Sequence, residues 1–214
     1  IYDITGTANV GALQEFEGLT KRNTGTLNIN GPGVTTDLLD VAVEGGVLNV
    51  AAAGSVVGVQ TTTVSSGATL NVDGAYTGSA GNDTFTVAGT VSGAGSIDLG
   101  DGDDVLTLQD GAVLSSVIDG GNAVGGDRVV LDNASDFTFD GANVSGFEDL
   151  VKQNTGTATL VGAHSYDSTA IDGGTLDVDG TLETATVALA DGATLNIDGT
   201  VQAAGGAQTT LTGS

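Results

Sequence analysis

One octapeptide recurs almost unchanged in this chain of 214 residues. It reads GATLNVDG at 67–74 and GATLNIDG at 192–199, with seven of eight positions identical. Apolar and polar residues alternate within it, which is the pattern of a half-buried strand. We therefore expect Leu70 and Val72 to point inward and Asn71 outward. The closing Asp-Gly pair predicts a tight turn, because Asp bonds its own backbone and Gly adopts positive φ.

Shorter forms of this unit follow one another along the chain. Their central leucines are Leu27, Leu48, Leu70, Leu176 and Leu195. Within each half of the chain they are about 20 residues apart, a period typical of stacked solenoid repeats. We predict an all-β fold, a right-handed parallel β-helix (β-solenoid) of about ten coils of roughly 20 residues. The alternative is an antiparallel sandwich with Asp-Gly hairpins, which gives no reason for one strand sequence to recur.

A longer repeat contains the shorter one. Residues 16–26 read FEGLTKRNTGT and residues 147–157 read FEDLVKQNTGT, with eight of eleven positions identical. Together with the octapeptide, this segment shows that 16–74 is similar to 147–199, so the chain contains a duplicated unit. Since the chain also begins without a Met, we interpret 1–214 as a single β-solenoid fragment of a longer tandem-repeat protein.

The charge of the chain excludes several kinds of partner. It has 27 acidic and four basic residues, and a formal net charge of −23. So few cations cannot neutralise phosphates, so we expect no nucleic-acid partner. No apolar run reaches the ~20 residues of a spanning helix, so we expect no direct membrane insertion by this fragment. The hydrophobic fraction of 39% argues against disorder.

Three glycine-aspartate turns could carry chemistry. They are GSAGNDTFT at 78–86, LGDGDDVLT at 99–107 and GGNAVGGDRVV at 120–130. They resemble the Gly-Gly-x-Gly-x-Asp turns that bind calcium in RTX-type β-rolls, where carboxylates and freed carbonyls supply hard oxygen ligands. The candidate calcium ligands are Asp83, Asp101, Asp103, Asp104, Asp119 and Asp127.

These turns also depart from the RTX motif. Ser79 and Leu99 replace glycines of the motif, and the third turn carries two extra residues. RTX units follow every nine residues or so, whereas Gly81, Gly102 and Gly125 are separated by one solenoid coil. The alternative is that these residues only make turns and that water satisfies their carboxylates.

One outward position of the strand unit is polar in every clear copy. Its members are Asn28, Asn49, Asn71, Asp177 and Asn196. Stacked amides could form a ladder along the solenoid or a surface for self-association. The alternative is that these side chains are simply solvated.

The sequence contains no recognisable catalytic motif, so we predict that the chain is not an enzyme. The only histidine, His164, has no partner residues that would mark it as a base or a ligand, and we expect it to be a packing or surface residue. The phenylalanines lie at apolar positions and are predicted to be core: Phe16, Phe85, Phe137, Phe139 and Phe147. A polysaccharide-acting β-helix enzyme is the remaining enzymatic alternative.

The repeats resemble a known group of bacterial proteins. The segments GGTLDVDGTL, GATLNIDGTV and FEDLVKQNTGTATLVG are similar to passenger segments of autotransporters and related large surface exoproteins. This resemblance implies a long β-helical passenger outside the bacterial outer membrane. It implies a structural or adhesive segment, on the cell surface or secreted, whose partners are host or bacterial surface molecules or the chain itself. A calcium-stabilised repeat of an RTX-type secreted adhesin is the alternative.

Overall fold

The computed structural model describes residues 1–11, 17–31, 40–203 and 209–213. These residues form 27 strands and one short 3-10 turn, Gly141–Asn143. In chain order the strands are β1 Tyr2–Asp3, β2 Thr7–Val10, β3 Gly18–Arg22, β4 Thr26–Ile29, β5 Asp40–Val43, β6 Val47–Val50, β7 Ser55–Val59, β8 Thr61–Val64, β9 Thr69–Val72, β10 Ala75–Gly78, β11 Thr84–Val87, β12 Thr90–Ser92, β13 Ser96–Asp98, β14 Val105–Gln109, β15 Val113–Leu114, β16 Val117–Asp119, β17 Arg128–Asp132, β18 Phe137–Asp140, β19 Val144–Ser145, β20 Asp149–Gln153, β21 Thr157–Val161, β22 Ala163–Ile171, β23 Thr175–Val178, β24 Thr181–Leu189, β25 Thr194–Ile197, β26 Thr200–Gln202 and β27 Thr210–Gly213.

Every pair of neighbouring strands is parallel and joins one coil to the next. Leu48 pairs with Leu70, and Asn49 pairs with Asn71, so equivalent residues of the repeat stack in register. The chain is a parallel β-solenoid of about nine turns of roughly 21 residues. The predicted fold class is therefore confirmed, and the antiparallel alternative is wrong.

The solenoid has three faces. The first face is one continuous sheet of twelve strands that runs from β1 to β26, with β27 beside β24. The second face is a six-stranded sheet, β2 to β15, followed by a separate four-stranded sheet, β18 to β25. The third face is a five-stranded sheet, β7 to β19.

The coils differ in length. On the first face Val87 pairs with Leu108, 21 residues later, whereas Ile171 pairs with Leu189, 18 residues later. There β22 and β24 are nine residues long. Such long strands leave fewer residues for the corners, so a coil closes with fewer residues.

The interior is filled by stacked apolar side chains. Leu70 and Val72 are fully buried and Asn71 is half-buried, as the alternating pattern predicts. Of the predicted core aromatics, the buried or half-buried ones are Phe85, Phe137, Phe139 and Phe147, while Phe16 lies outside the described residues. Among the described residues, no helix has the length and apolar character needed to cross a bilayer.

The Asp-Gly corner at the end of the octapeptide differs from the expected turn. Gly74 does not have a positive φ; a Cβ there would lie 2.2 Å from the carbonyl oxygen of Gly54 in the preceding coil. Asp73 accepts a hydrogen bond from the N–H of Ala94 in the next coil (3.0 Å) rather than from its own turn. Glycine is therefore required here by the close stacking of coils.

Candidate functional site

Three of the predicted calcium ligands stack at the corner that leads into the first face. Asp83 precedes β11, Asp104 precedes β14 and Asp127 precedes β17, and these three strands are consecutive in the sheet. All three side chains are buried, with exposed fractions of 2%, 0% and 0%. The column of acidic side chains that the spacing suggests is therefore present in the fold.

From Asp104 onward, each carboxylate at this corner accepts a hydrogen bond from the preceding coil. Asp104 Oδ1 accepts from the N–H of Asp83, and Asp127 Oδ1 accepts from the N–H of Asp104, both at 2.7 Å. Glu148 Oε2 continues the series by accepting from the N–H of Asp127 at 2.7 Å. We call these four residues the carboxylate ladder. It satisfies backbone amides that burial at the corner would otherwise leave without partners.

In the turn at 78–86, a serine donates hydrogen bonds to Asp83, the first carboxylate of the ladder. The hydroxyl and the backbone N–H of Ser79 donate to the two carboxylate oxygens of Asp83, both at 2.6 Å. Ser79 is the residue that breaks the RTX motif in this turn. Its hydroxyl supplies a donor that a glycine could not supply.

Two oxygens of the carboxylate ladder have no donor in the described part of the chain, Oδ2 of Asp104 and Oδ2 of Asp127. Burial, with the charges of Asp83, Asp127 and Asp103, raises the pKa of Asp104 to about 6. Burial is also the main cause that raises the pKa of Asp83 and of Asp127. The ladder is thus an electrostatically costly structure, because it buries like charges next to one another.

The other predicted ligands stabilise the turns. Asp103 Oδ1 accepts from the N–H of Gly125 at 2.6 Å, and such backbone bonds lower the pKa of Asp103. Asp101 Oδ1 accepts from Asn122 Nδ2 at 3.1 Å. Asp119 Oδ1 accepts from the N–H two residues later at 3.3 Å. Within the described ranges, no three of the six candidates bring carboxylate oxygens within 4.8 Å of one another, so calcium binding by this set stays a prediction.

A different acidic group does reach that spacing. Asp177, Asp179 and Asp198 place one carboxylate oxygen each within 4.8 Å of the others. Asp177 Oδ1 is buried without a donor among the described residues. Burial and then the charges of Asp179 and Asp198 raise the pKa of Asp177. The sequence signal for this acidic group is Asp177, which stands where other copies of the strand unit have Asn. The Asp-Gly corners at 179–180 and 198–199 supply the other two acids.

The outward asparagines of the second face form a hydrogen-bonded column, the amide ladder of Asn9, Asn28, Asn49 and Asn71. Each of its three links is a bond of 2.8 Å from Nδ2 to the Oδ1 of the preceding coil. The Ser92 hydroxyl donates to Asn71 Oδ1 at 3.0 Å and ends the series. Asp177 and Asn196 lie in the separate four-stranded sheet and are not members of this ladder.

Sequence reasoning missed two buried lysines. Lys21 and Lys152 are fully buried, and burial lowers the pKa of each ammonium group. Lys21 Nζ donates to the carbonyl oxygens of Arg22, Asn23 (2.9 Å) and Gly45 (3.0 Å). A lysine ammonium has three donors, and here each donor reaches a carbonyl of the corner.

The second lysine repeats this arrangement in the second copy of the long repeat. Lys152 Nζ donates to the carbonyl oxygens of Gln153, Asn154 (3.1 Å) and Gly173 (3.4 Å). Asn23 and Asn154 are the only described residues other than glycine with a positive φ, 62° and 64°. The sequence signal for these lysines was the similarity between 16–26 and 147–157, because both segments keep a Lys and an Asn two residues apart.

The two arginines are also engaged. Arg22 Nε lies 2.6 Å from Glu44 Oε2, and an Arg128 guanidinium nitrogen lies 3.7 Å from Asp149 Oδ2. All four basic side chains of the chain are described, and each is buried or paired. The charged groups on the described surface are therefore mostly anionic, and its two arginines are paired with acids.

His164 is a packing residue, as expected. It is 5% exposed, and its ring lies 5.2 Å from that of Phe139 and 6.4 Å from that of Tyr166, measured between centroids. Its Nε2 bonds with the carbonyl oxygen of Val161 at 2.8 Å. Burial lowers the pKa of His164, so the ring is neutral at neutral pH.

The chain was compared with protein-family models, curated proteins and solved structures, and none of the three comparisons found a match.

Proposed function

We propose that this chain is a structural and adhesive segment of a bacterial cell-surface or secreted protein. The observation that carries the proposal is the combination of a filled solenoid core with an exterior whose charged groups are mostly acidic. Most of the large apolar side chains in the described coils stack in the core. What remains for function is the outer surface, with a formal net charge of −23 and no basic side chain that is both exposed and unpaired. The sequence resemblance to autotransporter passengers points the same way.

The surface charge favours particular kinds of contact. Two copies of this chain repel each other over a distance of about a Debye length, roughly 10 Å at 0.1 M salt. Cationic groups on a host or bacterial surface would be attracted over the same distance. We therefore favour adhesion to cationic surface molecules, with self-association only where a divalent cation bridges two copies.

Adhesion can be tested by displaying the chain on bacteria. We expect displaying cells to be retained on polylysine-coated and epithelial surfaces more than cells that carry the display carrier alone. Retention on polylysine should fall as salt is raised, because the attraction is electrostatic. Equal retention of both kinds of cell on every surface would contradict the proposal. Sedimentation of the purified chain should show a monomer without divalent cations, and a dimer in their absence would contradict the electrostatic argument.

A second candidate function is that of a calcium-stabilised repeat. The observation that favours it is the spacing of Asp177, Asp179 and Asp198, since Ca²⁺ binds oxygen ligands at roughly 2.3–2.6 Å. The unpartnered oxygens of the carboxylate ladder are a second place where a cation would offset buried charge.

Thermal melting in calcium, magnesium and EDTA tests this candidate. A ligand present at 100 times its dissociation constant stabilises the folded state by about 2.7 kcal/mol. We expect calcium to raise the melting temperature more than magnesium, and Asp177→Asn or Asp104→Asn to reduce the rise, depending on which place binds. An unchanged melting temperature in calcium would remove the candidate.

A further inference from the structure

The second face of the solenoid is interrupted between two successive coils. Its six-stranded sheet ends at β15, its four-stranded sheet begins at β18, and no backbone hydrogen bond joins these two fully described segments. On the other two faces the same coils are paired, through Leu108 with Leu131 and Ile118 with Val144. The coils are therefore in contact on two sides and separated on the third.

The separation leaves an opening of about 330 Å³ that is lined by apolar side chains and by Thr138, Asp140 and Asn143. We call it the slot; its apolar lining consists of Leu108, Ala112, Val113, Leu114, Phe137 and Phe139. Two hydrogen bonds, each made by a side chain, bridge the slot. The N–H of Ser135 donates to Asp110 Oδ1 at 2.9 Å, and Asn143 Nδ2 donates to the carbonyl oxygen of Leu114 at 3.2 Å. Between these bonds Val113 is 50% exposed.

Strand edges lie on both sides of the slot. Elsewhere in the four-stranded sheet, outward residues donate to the preceding coil, as Thr175 does to Gly156 (3.2 Å) and Asp179 to Leu160 (3.0 Å). Thr138 is an outward residue of β18, and along this segment the preceding coil provides no acceptor for its N–H. An unpaired strand edge is a template for an added strand.

The rim of the slot is acidic. Asp110, Asp136 and Asp140 are all exposed and flank the two strands. A second copy of this chain cannot complement them, because its four basic side chains are buried or paired. The charge of the rim therefore selects a basic segment of another protein.

We propose that the slot binds an extended peptide strand of another protein, with alternate apolar side chains inside the slot and basic side chains toward the rim. The strand adds its backbone to the edge of β18, where Thr138 offers a free N–H. This proposal goes beyond the proposed function, because peptide binding would occur whether or not the chain acts as an adhesive segment.

Binding is measured by fluorescence anisotropy with a labelled peptide, KVTVKVTVK, at low salt. The control peptides are EVTVEVTVE, which reverses the charge, and KSTSKSTSK, which removes the apolar side chains. We expect only the first peptide to bind measurably, with amide hydrogen-exchange protection at 112–115 and 137–140. Equal binding of the two lysine peptides, tight binding of the glutamate peptide, or protection confined to other segments would overturn the proposal.

Two variants locate the contact. Thr138→Pro removes the N–H that faces the slot, and Thr138→Val is its matched control because it keeps that N–H. We expect the proline variant to weaken binding about 3- to 10-fold, the value of one hydrogen bond, and the valine variant to bind as the unmodified chain does. If melting shows that the proline variant does not fold, Ala112→Phe decides, since a larger side chain fills the slot. Unchanged binding by a folded variant of either kind would overturn the proposal.

Discussion

The segments 67–74 and 192–199 have nearly the same sequence and very different surroundings. In the first, β9 pairs with β6 on one side and with β12 on the other. In the second, β25 pairs with β23 alone among the described strands. Leu70 is fully buried, whereas the equivalent Leu195 is only half-buried. Burial in a solenoid is therefore supplied by the neighbouring coils and is not a property of the repeat itself.

The outward residues of these segments differ for the same reason. Asn71 donates to Asn49 and accepts from Ser92, so it is bonded to both neighbouring coils. Asn196 is exposed and stacks on Asp177, which is an acid where the first copy has an amide. Two substitutions in a neighbouring coil, Asp177 for Asn49 and Asp179 for Ala51, thus replace an amide ladder with a group of like charges.

The largest expected effect concerns the two leucines. Leu70→Ala leaves a cavity inside a closed core and should lower the free energy of unfolding by about 2–5 kcal/mol. Leu195→Ala removes a side chain that is already partly in water and should cost about 1 kcal/mol. Urea denaturation followed by circular dichroism measures both. Equal losses would contradict the view that neighbouring coils determine burial.

The next effect concerns a feature that both copies share. Lys21→Met and Lys152→Met each leave three corner carbonyls without a donor, so each should lower the free energy of unfolding by about 1–3 kcal/mol. Arg22→Met is the control, since its exposed ion pair contributes only about 0–1 kcal/mol. If either lysine variant unfolds at the same urea concentration as the control, that lysine does not hold its corner together.

The carboxylate ladder makes stability depend on pH. The pKa of Asp104 rises from 3.8 to about 6 on folding, so the folded state binds the proton more tightly. Its contribution to stability is complete below about pH 3.8 and is lost as the pH rises through about 6. Asp104→Asn should therefore be more stable than the unmodified chain at pH 7, by on the order of 1 kcal/mol once solvent screening is allowed for, and equally stable near pH 4.

Thermal melting between about pH 4 and pH 7 checks this difference. Asp101→Asn is the matched control, because Asp101 belongs to the same turn but is exposed. A constant difference between Asp104→Asn and the unmodified chain across this range would show that the buried carboxyl does not titrate as described.

The smallest expected effects come from exchanging the outward residues. Asn71→Asp removes the donor to Asn49 and places a charge beside Asp73, so it should cost about 1 kcal/mol. Asp177→Asn relieves repulsion at an accessible position and should stabilise the chain by at most about 0.5 kcal/mol. Melting at low salt measures both. A gain from the first exchange would show that the amide ladder contributes nothing to stability, and a loss from the second would show that the charge of Asp177 is not a source of repulsion.

Much of the fold could be predicted from spacing alone. The leucine period and the alternation in each unit indicate inward and outward positions, since a strand has a period of two and a coil returns to the same angle. The stacking of Asp83, Asp104 and Asp127 follows from the same period. The role of Asp104 and Asp127 as acceptors for the preceding coil did not follow, because it depends on the direction of each side chain at a corner.

The buried lysines show a second limit of sequence reasoning. Because a lysine is rarely fully buried, the sequence alone suggests that Lys21 and Lys152 are surface charges. Their identical setting in two copies of an eleven-residue segment was the available signal. To interpret this similarity one must know that three backbone carbonyl groups converge at that corner. The pattern of apolar and polar residues in a strand does not carry this information.

The repeat alone therefore determines that this chain coils, which residues point inward and how its copies align, because these depend on local periodicity. The tertiary structure decides which octapeptide is fully buried, where amides or acids meet, and where the second face opens between β15 and β18. Those properties depend on which residue the next coil places beside each position, and in a stack of unequal coils that neighbour differs from copy to copy.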